Sequence, residues 1–340
     1  MNELSRFPLA TLPTPLTDAV RLREVLGGPS ACPRILIKRD DLTGLGLGGN
    51  KARKLEYLIA DAVERGARTI VTTGAVQSNH ARMTAAAACL AGLRCVLVLT
   101  SRHEHPAVEG NLLLDHLFGA DVRFVPGQDP MLAVGRDAEM VAEVVHEEEA
   151  SARSPYVIPI GGSSPVGAMG YVSGTAELVA QLRAMGCRPS RLYYASGSRG
   201  TQAGLTLGSK LSDAPYALWG VAVSAGEAEK IERAKKAAND AAALLGVPAR
   251  VDHADLFTDQ AFIGEGYGIP TEAGLEAIDL LARTEAILLD PVYTSKGFSA
   301  LLRHVRSGDI PASDTVVFLH TGGAPALFTR DFVSARGLAR

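Results

Sequence analysis

The stretch KRDDLTGLGLGGNK, residues 38–51, places one lysine directly after a turn that is rich in glycine. The apolar run at residues 35–37 predicts a short strand before this turn. After it, apolar residues recur at helical spacing, at Leu55, Leu58, Ile59, Ala62 and Val63. The pattern therefore predicts that Lys51 lies at the start of a helix.

An ammonium group is disfavoured at that position because the dipole of a helix stabilises anions at its N-terminus. We therefore expect Lys51 to lose its proton more easily than an ordinary lysine. A solvated lysine that merely begins an amphipathic helix is the commonplace alternative. The glycines Gly44, Gly46, Gly48 and Gly49 favour a functional site, since glycine lets a flat group approach the backbone.

Three of these glycines also match the Gly-x-Gly-x-x-Gly spacing of a dinucleotide-binding loop. That loop needs its first glycine at the end of a strand and an acidic residue at the end of the next strand. Here the charged residues 38–41 intervene, and the next strand-like run, residues 69–73, ends without a carboxylate. We therefore interpret the match as accidental.

The composition is that of an ordinary globular protein. A chain of 340 residues with 47% hydrophobic residues can form about two domains or one large domain. A net charge of -3 without a basic run argues against nucleic acid as a partner. The four cysteines lack the paired spacing and density of a disulfide scaffold or metal site, which fits a reducing, cytoplasmic compartment.

Neither a targeting segment nor a membrane span is expected. Residues 1–8 lack the apolar core of a signal peptide. The longest apolar-leaning run, residues 83–100, is interrupted by Gly92 and Arg94. We therefore expect no membrane partner.

Strand and helix patterns alternate along nearly the whole chain. The predicted strands are residues 35–38, 69–73, 95–99, 121–125, 156–160, 191–195, 216–223, 286–289 and 315–319. Helical patterns cover residues 79–91, 108–119, 131–149, 166–186, 226–245 and 271–284. The strands are short apolar runs without alternation, as in sheets buried on both faces, so the fold class is α/β with largely parallel sheets.

Several motifs occur together with the stretch around Lys51. They are GAVQSNHAR, PYVIPIGGSSPVGAMGY, ASGSRGTQAG, GEGYGIP, LLDPVYTSKG and FLHTGGAPALF, in this order along the chain. The set resembles the pyridoxal-phosphate enzymes grouped as D-cysteine desulfhydrases and 1-aminocyclopropane-1-carboxylate deaminases. In that family the lysine of GGNK holds pyridoxal 5'-phosphate as a Schiff base, which implies this role for Lys51.

The resemblance also implies an architecture. The family has the tryptophan-synthase-β-like fold, fold type II, with two parallel-sheet domains and the cofactor in the cleft between them. Carried over, residues 51–160 form a small inserted domain, and residues 1–50 and 161–340 form the large pyridoxal-phosphate-binding domain. A homodimer is expected.

A phosphate site is predicted at residues 196–204, where glycines and hydroxyl side chains follow a strand and lead into a helix. A plain strand-to-helix turn is the alternative. The resemblance places Ser198, Arg199, Gly200 and Thr201 around the cofactor phosphate. Arg199 departs from the small residue expected there. Its side chain either points away, supports the phosphate or reaches an acidic substrate group, and of these we favour the phosphate.

A carboxylate site is predicted at residues 74–80, where polar groups follow a strand and open a helix. For Ser78 alone, an ordinary helix cap is the alternative. By resemblance, Gln77, Ser78 and Asn79 hold the carboxylate of an amino acid. Asn79 also lies beside the ring oxygen of the cofactor, and Ser78 is a candidate acid or base. His80 is expected to support these groups rather than carry a proton.

Two tyrosines, Tyr267 and Tyr293, lie in loops, which favours function over core packing. Tyrosines that simply fill a cleft are the alternative. The family places both phenols over the substrate, with Tyr293 closest to the reacting carbon, so Lys51, Ser78, Tyr267 and Tyr293 are the predicted catalytic residues.

Thr294 is the most informative departure from the cyclopropane-opening deaminases, which carry a glutamate after this tyrosine, facing the pyridine nitrogen. Thr321 matches the threonine that faces this nitrogen in the D-cysteine desulfhydrases. Hydroxyl groups leave the ring a weaker electron sink, which suffices when a good leaving group departs from the β-carbon.

The resemblance therefore implies an enzyme that acts on a small amino acid. The leading reaction is β-elimination from D-cysteine, giving pyruvate, hydrogen sulfide and ammonia. The alternatives are elimination of sulfite from L-cysteate, deamination of the cyclopropane acid and, from another class, an amino-acid sensor without turnover. The sequence leaves the substrate and its chirality open.

Overall fold

The computed structural model describes residues 4–125 and 135–337. They form two sheets flanked by helices. The strands are β1 (Leu16–Asp18), β2 (Arg34–Arg39), β3 (Thr69–Ala75), β4 (Arg94–Thr100), β5 (Asp121–Phe124), β6 (Pro155–Ile158), β7 (Arg191–Ser196), β8 (Ala217–Ala222), β9 (Thr258–Asp259) and β10 (Thr315–His320). The helices are α1 (Val20–Val25), α2 (Lys51–Glu64), α3 (Asn79–Leu90), α4 (Gly110–Leu117), α5 (Arg136–Ala150), α6 (Pro165–Ala184), α7 (Gly200–Ser212), α8 (Glu227–Leu244), α9 (Glu272–Glu285), α10 (Thr294–Arg306) and α11 (Arg330–Ala335).

The larger sheet has the strand order β1-β2-β10-β7-β8-β9, and the smaller sheet has the order β5-β4-β3-β6. The paired strands are parallel, except that β1 runs antiparallel to β2 at one edge of the larger sheet. The predicted α/β class with two largely parallel sheets is therefore confirmed.

Both sheets are buried on both faces. In β2, Ile35 and Ile37 belong to one apolar cluster, whereas Leu36 belongs to another on the opposite face. In β3 of the smaller sheet, Ile70 and Val71 likewise belong to different clusters. Successive side chains of a strand point to opposite faces, so these unbroken apolar runs satisfy two cores at once.

The strand predicted at residues 286–289 is wrong. Helix α9 ends at Glu285, and Ala286 then takes a left-handed conformation with φ +56°. Ile287 and Leu289 are buried in the same cluster as Ile35, but they join neither sheet. An apolar run signals burial, not strand pairing. The short strands β1 and β9 were not predicted.

The helix predicted over residues 131–149 lies only partly within the described chain, where α5 begins at Arg136. The domain boundaries after residues 50 and 160 stay a prediction. Helix α2 packs against both α6 and α3, so it contacts helices on either side of the proposed division. Among the described helices, none has the length and apolar character needed to cross a membrane.

A buried ion network fixes α2, the helix that begins with Lys51. The Arg53 guanidinium donates to Asp40 Oδ2 at 2.8 Å and to Glu177 Oε1 at 2.8 Å. Burial alone would raise the pKa of Asp40, but the charge of Arg53 holds it below its ordinary value. Asp40 directly follows β2 and Glu177 belongs to α6, so the network ties α2 to both elements.

Asp115 of α4 is a buried carboxyl group that carries a testable pH dependence. Within the described residues neither of its oxygens has a hydrogen-bond partner. Burial raises its pKa to about 8, and the charge of Arg82 opposes this only in part. In the unfolded chain an aspartate titrates near pH 3.9. The contribution of the protonated Asp115 carboxyl group to the free energy of unfolding is therefore fully present below about pH 4. It is lost as the pH rises towards 8.

We expect Asp115→Asn to flatten this dependence. Relative to the parent protein, its free energy of unfolding should gain about 1.4 kcal/mol for each pH unit between pH 5 and 7. Urea unfolding at several pH values measures this, with the exposed Glu64→Gln variant as control. Parallel stability curves for the parent and Asp115→Asn would contradict the expectation.

Candidate active site

A cavity of about 400 Å³ lies where the two sheets direct the ends of their strands toward each other. Its lining comes largely from segments that follow β3, β6, β7, β8 and β10, together with the start of α2. Ligand sites of open parallel sheets lie at such carboxyl ends. The segments predicted to carry chemistry therefore meet in one place.

Lys51 is the first residue of α2 and lines this cavity. The side chain is half-buried, and within the described chain its Nζ donates no hydrogen bond. Burial lowers the pKa of Lys51 to about 8. This direction agrees with the easier deprotonation that we expect, and desolvation is its cause. An amine that is partly neutral near pH 8 is suited to nucleophilic attack and proton transfer.

Lys54 is a fully buried lysine three residues further along α2, and no role at the phosphate loop was predicted for it. Its Nζ donates to the carbonyl oxygen of Gly161 at 3.0 Å. Burial, followed by the charge of Lys51, lowers the pKa of Lys54 well below its ordinary value. A Cβ added at Gly200 would lie 2.9 Å from Lys54 Nζ, so this amino group lies beside the first residue of α7. The i, i+3 spacing from Lys51 was the available signal.

The phosphate loop runs from the end of β7 to the start of α7. Ser163 Oγ donates to the carbonyl oxygen of Ser198 at 3.0 Å, and Asn50 Nδ2 donates to Thr201 Oγ1 at 3.0 Å. A Cβ at Gly161 would lie 2.0 Å from Ser198 Oγ, so only glycine fits there. Backbone N–H groups at the start of a 13-residue helix, beside hydroxyl groups and Lys54, form a cradle suited to a phosphate.

Arg199 points away from this cradle. Its guanidinium forms an ion pair with Glu227 and donates to Thr258 Oγ1 and, at 2.8 Å, to Gln202 Oε1. The side chain is buried, and the backbone has φ +70° at the start of α7. Of the three orientations considered from the sequence, the structure shows the one that leaves only the backbone of Arg199 at the phosphate loop.

Because of this orientation, Arg199→Ala should not change substrate preference. The ratio of kcat/KM values for L-cysteate and D-cysteine should stay within about threefold, since no ion pair to substrate is lost. The free energy of unfolding should fall by about 3 to 5 kcal/mol, because the partner carboxylate loses its charge pair. Thermal unfolding and paired kinetics measure both effects, with Glu227→Ala as the matched variant. A tenfold loss confined to cysteate would contradict the structural assignment.

The predicted carboxylate site is partly assembled. Ser78 is the N-cap of α3 and accepts a hydrogen bond from Ala81 N at 3.2 Å, and both Ser78 and Asn79 line the cavity. Gln77 does not line it. The carboxamide of Gln77 instead accepts from Asn111 N at 2.8 Å and donates to the carbonyl oxygen of Glu109 at 3.0 Å. Gln77 therefore joins this loop to the start of α4.

His80 lies beneath the same loop. Thr72 Oγ1 donates to the carbonyl oxygen of Ile158 at 2.7 Å, so it accepts from His80 Nε2 at 2.9 Å. Burial, followed by the charges of Lys51 and Lys54, lowers the pKa of His80 well below its ordinary value. His80 is thus a neutral ring at physiological pH.

The two tyrosines meet at the cavity wall. The phenolic oxygens of Tyr267 and Tyr293 lie 2.5 Å apart, and both residues line the cavity. Burial raises the pKa of both phenols, and for Tyr293 the neighbouring Tyr267 raises it further. Lys296 Nζ holds the loop of Tyr267 by donating to the carbonyl oxygens of Ile263 and Gly266 at 2.7 and 2.9 Å. Both phenols therefore keep their protons. One of them donates to the other, which leaves one hydroxyl proton of the pair free for a ligand.

The two threonines have different surroundings. Thr294 is buried, and its hydroxyl donates to Asp290 Oδ1 at 2.6 Å. Asp290 also accepts from the backbone N–H groups of residues 292–294, so its charge is fully engaged at the start of α10. Thr321 lines the cavity, and its hydroxyl makes no hydrogen bond within residues 4–125 and 135–337.

The site fits a group that combines a phosphate, a flat ring and a carbonyl carbon. The glycine-lined loop at α7 accommodates the phosphate, and Lys51 lies within reach of the same cavity. A Cβ at Gly197 would lie 3.3 Å from the ring of Tyr293, so a small residue there keeps the wall open. The remaining hydroxyl and amide donors suit the carboxylate of an amino acid.

Comparison with known proteins agrees with this chemistry. The family described as "Pyridoxal-phosphate dependent enzyme" matches residues 8–322. The chain is 40% identical to a putative 1-aminocyclopropane-1-carboxylate deaminase of Pyrococcus abyssi, over 96% of this chain and 94% of that protein. It is 41% identical to a D-cysteine desulfhydrase of Salmonella typhi, over 96% of this chain and 98% of that protein.

Solved structures give the same result. A structure titled as an ACC deaminase homologue is similar with a TM-score of 0.86 at 34% identity, covering 99% of this chain and 97% of that chain. A pyridoxal 5'-phosphate-dependent aspartate racemase shares the fold, with a TM-score of 0.64 at 16% identity, covering 91% of this chain and 90% of that chain.

Proposed function

We propose that this chain, which belongs to the family of pyridoxal-phosphate-dependent enzymes, is a lyase that converts D-cysteine and water to pyruvate, hydrogen sulfide and ammonia. The observation that carries the proposal is the lack of a free carboxylate after Tyr293. Thr294 there is tied to Asp290, and Thr321 offers only a hydroxyl to the cavity. If the pyridine nitrogen of the cofactor meets a hydroxyl group instead of a carboxylate, the ring is a weaker electron sink. Such a ring suits a substrate whose leaving group departs easily.

The residues of the site would divide the work as follows. Bound pyridoxal phosphate supplies the electron sink that makes the α-proton of an amino acid acidic. Ser78 and Asn79 would bind the substrate carboxylate at the start of α3, where the helix N-terminus favours an anion, and Asn79 would also contact the ring oxygen of pyridoxal phosphate. Lys51 Nζ, with its lowered pKa, takes the proton from the α-carbon.

The C–S bond then breaks with its electron pair on sulfur. Tyr293 and Tyr267 remain protonated because burial raises the pKa of both phenols. One phenol donates to the other, and the remaining hydroxyl proton of the pair donates a hydrogen bond to the departing thiolate. The thiolate takes up a proton to give hydrogen sulfide. The three-carbon enamine that is released hydrolyses to pyruvate and ammonia.

Elimination of sulfite from L-cysteate is the second candidate, and one observation favours it. Lys230 and Arg233 of α8 line the same cavity as Lys51, so two basic side chains are available near an anionic substituent. Lys230 Nζ donates a hydrogen bond to Ser224 Oγ at 2.7 Å. Arg233 Nε lies 3.8 Å from Glu229 Oε1.

One assay separates the candidates. The purified enzyme is supplied in turn with D-cysteine, L-cysteate and the cyclopropane acid, and pyruvate, sulfide and sulfite are recorded. The proposal expects pyruvate and sulfide in equal amounts from D-cysteine at the highest kcat/KM. Sulfite from cysteate at a higher kcat/KM would replace it with the second candidate. Binding of an amino acid without any pyruvate would identify a sensor.

A homodimer in the cytoplasm is part of the proposal. Four unpaired cysteines are compatible with a reducing compartment. Large apolar side chains are exposed on or beside α4, with Leu47 62%, Leu117 70% and Phe328 70% exposed, and such surfaces commonly mark interfaces. Light scattering tests it, since a dimer has twice the 35.7 kDa mass of the chain.

A further inference from the structure

We propose that Arg82 and Asn111 are positioning residues that fix the carboxamide of Asn79 with its NH2 group facing the cavity. The inference rests on the proposed function only for the ligand that Asn79 meets. Its basis is the direction of each hydrogen bond in a buried chain that connects α3 to α4. Donors and acceptors in this chain are determined one after another.

This series of hydrogen bonds begins with Arg82, which is fully buried in α3. A guanidinium carries donors only. Because Arg82 Nε lies 3.1 Å from the Asn111 carboxamide, the contacted atom must be its oxygen, Oδ1. The NH2 group of Asn111 is therefore on the other side.

The orientation of the Asn111 carboxamide determines the orientation of the Asn79 carboxamide. Asn111 Nδ2 lies 3.0 Å from the backbone carbonyl oxygen of Gln77, which can only accept, so the orientation is determined a second time. The same Nδ2 lies 3.0 Å from the carboxamide of Asn79. That atom of Asn79 must accept and is Oδ1, which also lies 3.4 Å from Arg82 Nη2.

Asn79 is thereby left with its NH2 group free. Within the described chain Asn79 Nδ2 makes no hydrogen bond, and the residue lines the cavity. A reversed Asn79 carboxamide would place its NH2 group against the donor groups of both Arg82 and Asn111, with no acceptor between them. The cavity therefore meets two N–H donors at this point, which suit a negatively charged oxygen of the cofactor or the substrate.

Arg82 also connects this series of hydrogen bonds to the turn before Lys51. Its Nη1 also donates to the carbonyl oxygens of Gly46 and, at 3.0 Å, Gly48 in the turn that precedes Lys51. Burial lowers the pKa of Arg82 to about 10, so the guanidinium stays charged at physiological pH. One buried cation thus aligns the turn before Lys51 and the donor of Asn79.

The test is a double-mutant cycle with Asn111→Asp and Asn79→Ala. Aspartate keeps the shape and accepts from Arg82, but it has no NH2 group, so Asn79 is free to turn its own NH2 group away from the cavity. We expect Asn111→Asp to raise the apparent Kd for pyridoxal phosphate of the apoenzyme, followed by spectroscopic titration, about tenfold. In the Asn79→Ala background the same change should alter Kd by less than about twofold.

Asn239→Asp is the matched control, since Asn239 is an asparagine of α8 whose amide bonds to the carbonyl oxygen of Val251 at 2.9 Å. It should lower the melting temperature without changing cofactor affinity. Should Asn111→Asp fail to fold, Asn111→Ser, which also lacks the NH2 group, enters the same cycle. An equal loss of affinity in both Asn79 backgrounds would overturn the inference. Cofactor affinity is independent of the amino acid that is turned over, so the proposed function can fail separately.

Discussion

Lys51→Ala is expected to yield a folded protein that forms no pyruvate and lacks the visible absorption of the parent enzyme. Lys51 reaches the cavity from the start of α2, and it is the proposed covalent anchor and proton carrier. Loss of a general acid–base group alone costs about 10² to 10⁴ in rate. Loss of the covalent attachment adds to this, so kcat should fall by at least about three powers of ten.

Lys54 makes this test demanding, because burial lowers its pKa as well as that of Lys51. A lowered pKa by itself would therefore allow either lysine to act as the nucleophile. However, Lys54 is fully buried, and its Nζ is bound to the carbonyl oxygen of Gly161. Access to the cavity therefore decides in favour of Lys51. We propose that Lys54 contacts the phosphate instead.

Borohydride reduction followed by peptide mapping measures which lysine carries the cofactor. Lys54→Met is the matched variant, and it should weaken cofactor affinity but keep the visible band at saturating cofactor. A Lys51→Ala protein in which reduction still attaches the cofactor to a lysine would contradict the assignment. In that case Lys54 would be the first residue to map.

The glycine turn shows what a sequence can predict about such a site. Gly48 has φ +72°, and a Cβ there would lie 1.9 Å from the carbonyl oxygen of Asp41, so glycine is required. A glycine-rich turn before a helical pattern is visible in the sequence. The position of Lys51 at the first residue of α2 could be predicted for that reason and is confirmed.

The sequence could not predict the directions in which individual side chains point. Arg199 lies inside the phosphate loop, yet its guanidinium turns to Glu227, which is close only because the chain folds back at α8. Asn111 contacts Asn79 across 32 residues of sequence, and no local pattern marks it. Partners of this kind depend on the packing of whole elements, which a motif does not encode.

The hydroxyl group of Thr321 determines which substrate we expect the enzyme to prefer. D-cysteine should be turned over with a kcat/KM about 10 to 150 times that of the cyclopropane acid. A hydrogen bond to a charged group contributes about 1.5 to 3 kcal/mol, and Thr321 cannot supply one of that kind to the ring nitrogen it is proposed to face. Ring opening has no good leaving group, so it depends more strongly on this missing stabilisation.

A substitution at Thr294 would not test this idea, because its hydroxyl is bound to Asp290 and a second carboxylate there would meet a buried negative charge. Thr321→Asp is the better variant, since the hydroxyl of Thr321 is open to the cavity. It should raise the ratio of kcat/KM for the cyclopropane acid over D-cysteine by about tenfold. Thr321→Asn has the same shape without the charge and should leave this ratio unchanged.

Both measurements are steady-state assays of pyruvate with matched enzyme preparations. If the parent enzyme opens the cyclopropane ring as fast as it cleaves D-cysteine, the neutral surroundings of the ring nitrogen do not limit the reaction. The chain would then be grouped with the deaminases. If Thr321→Asn shifts the ratio as much as Thr321→Asp does, shape rather than charge controls the choice, and the electrostatic reason for preferring elimination fails.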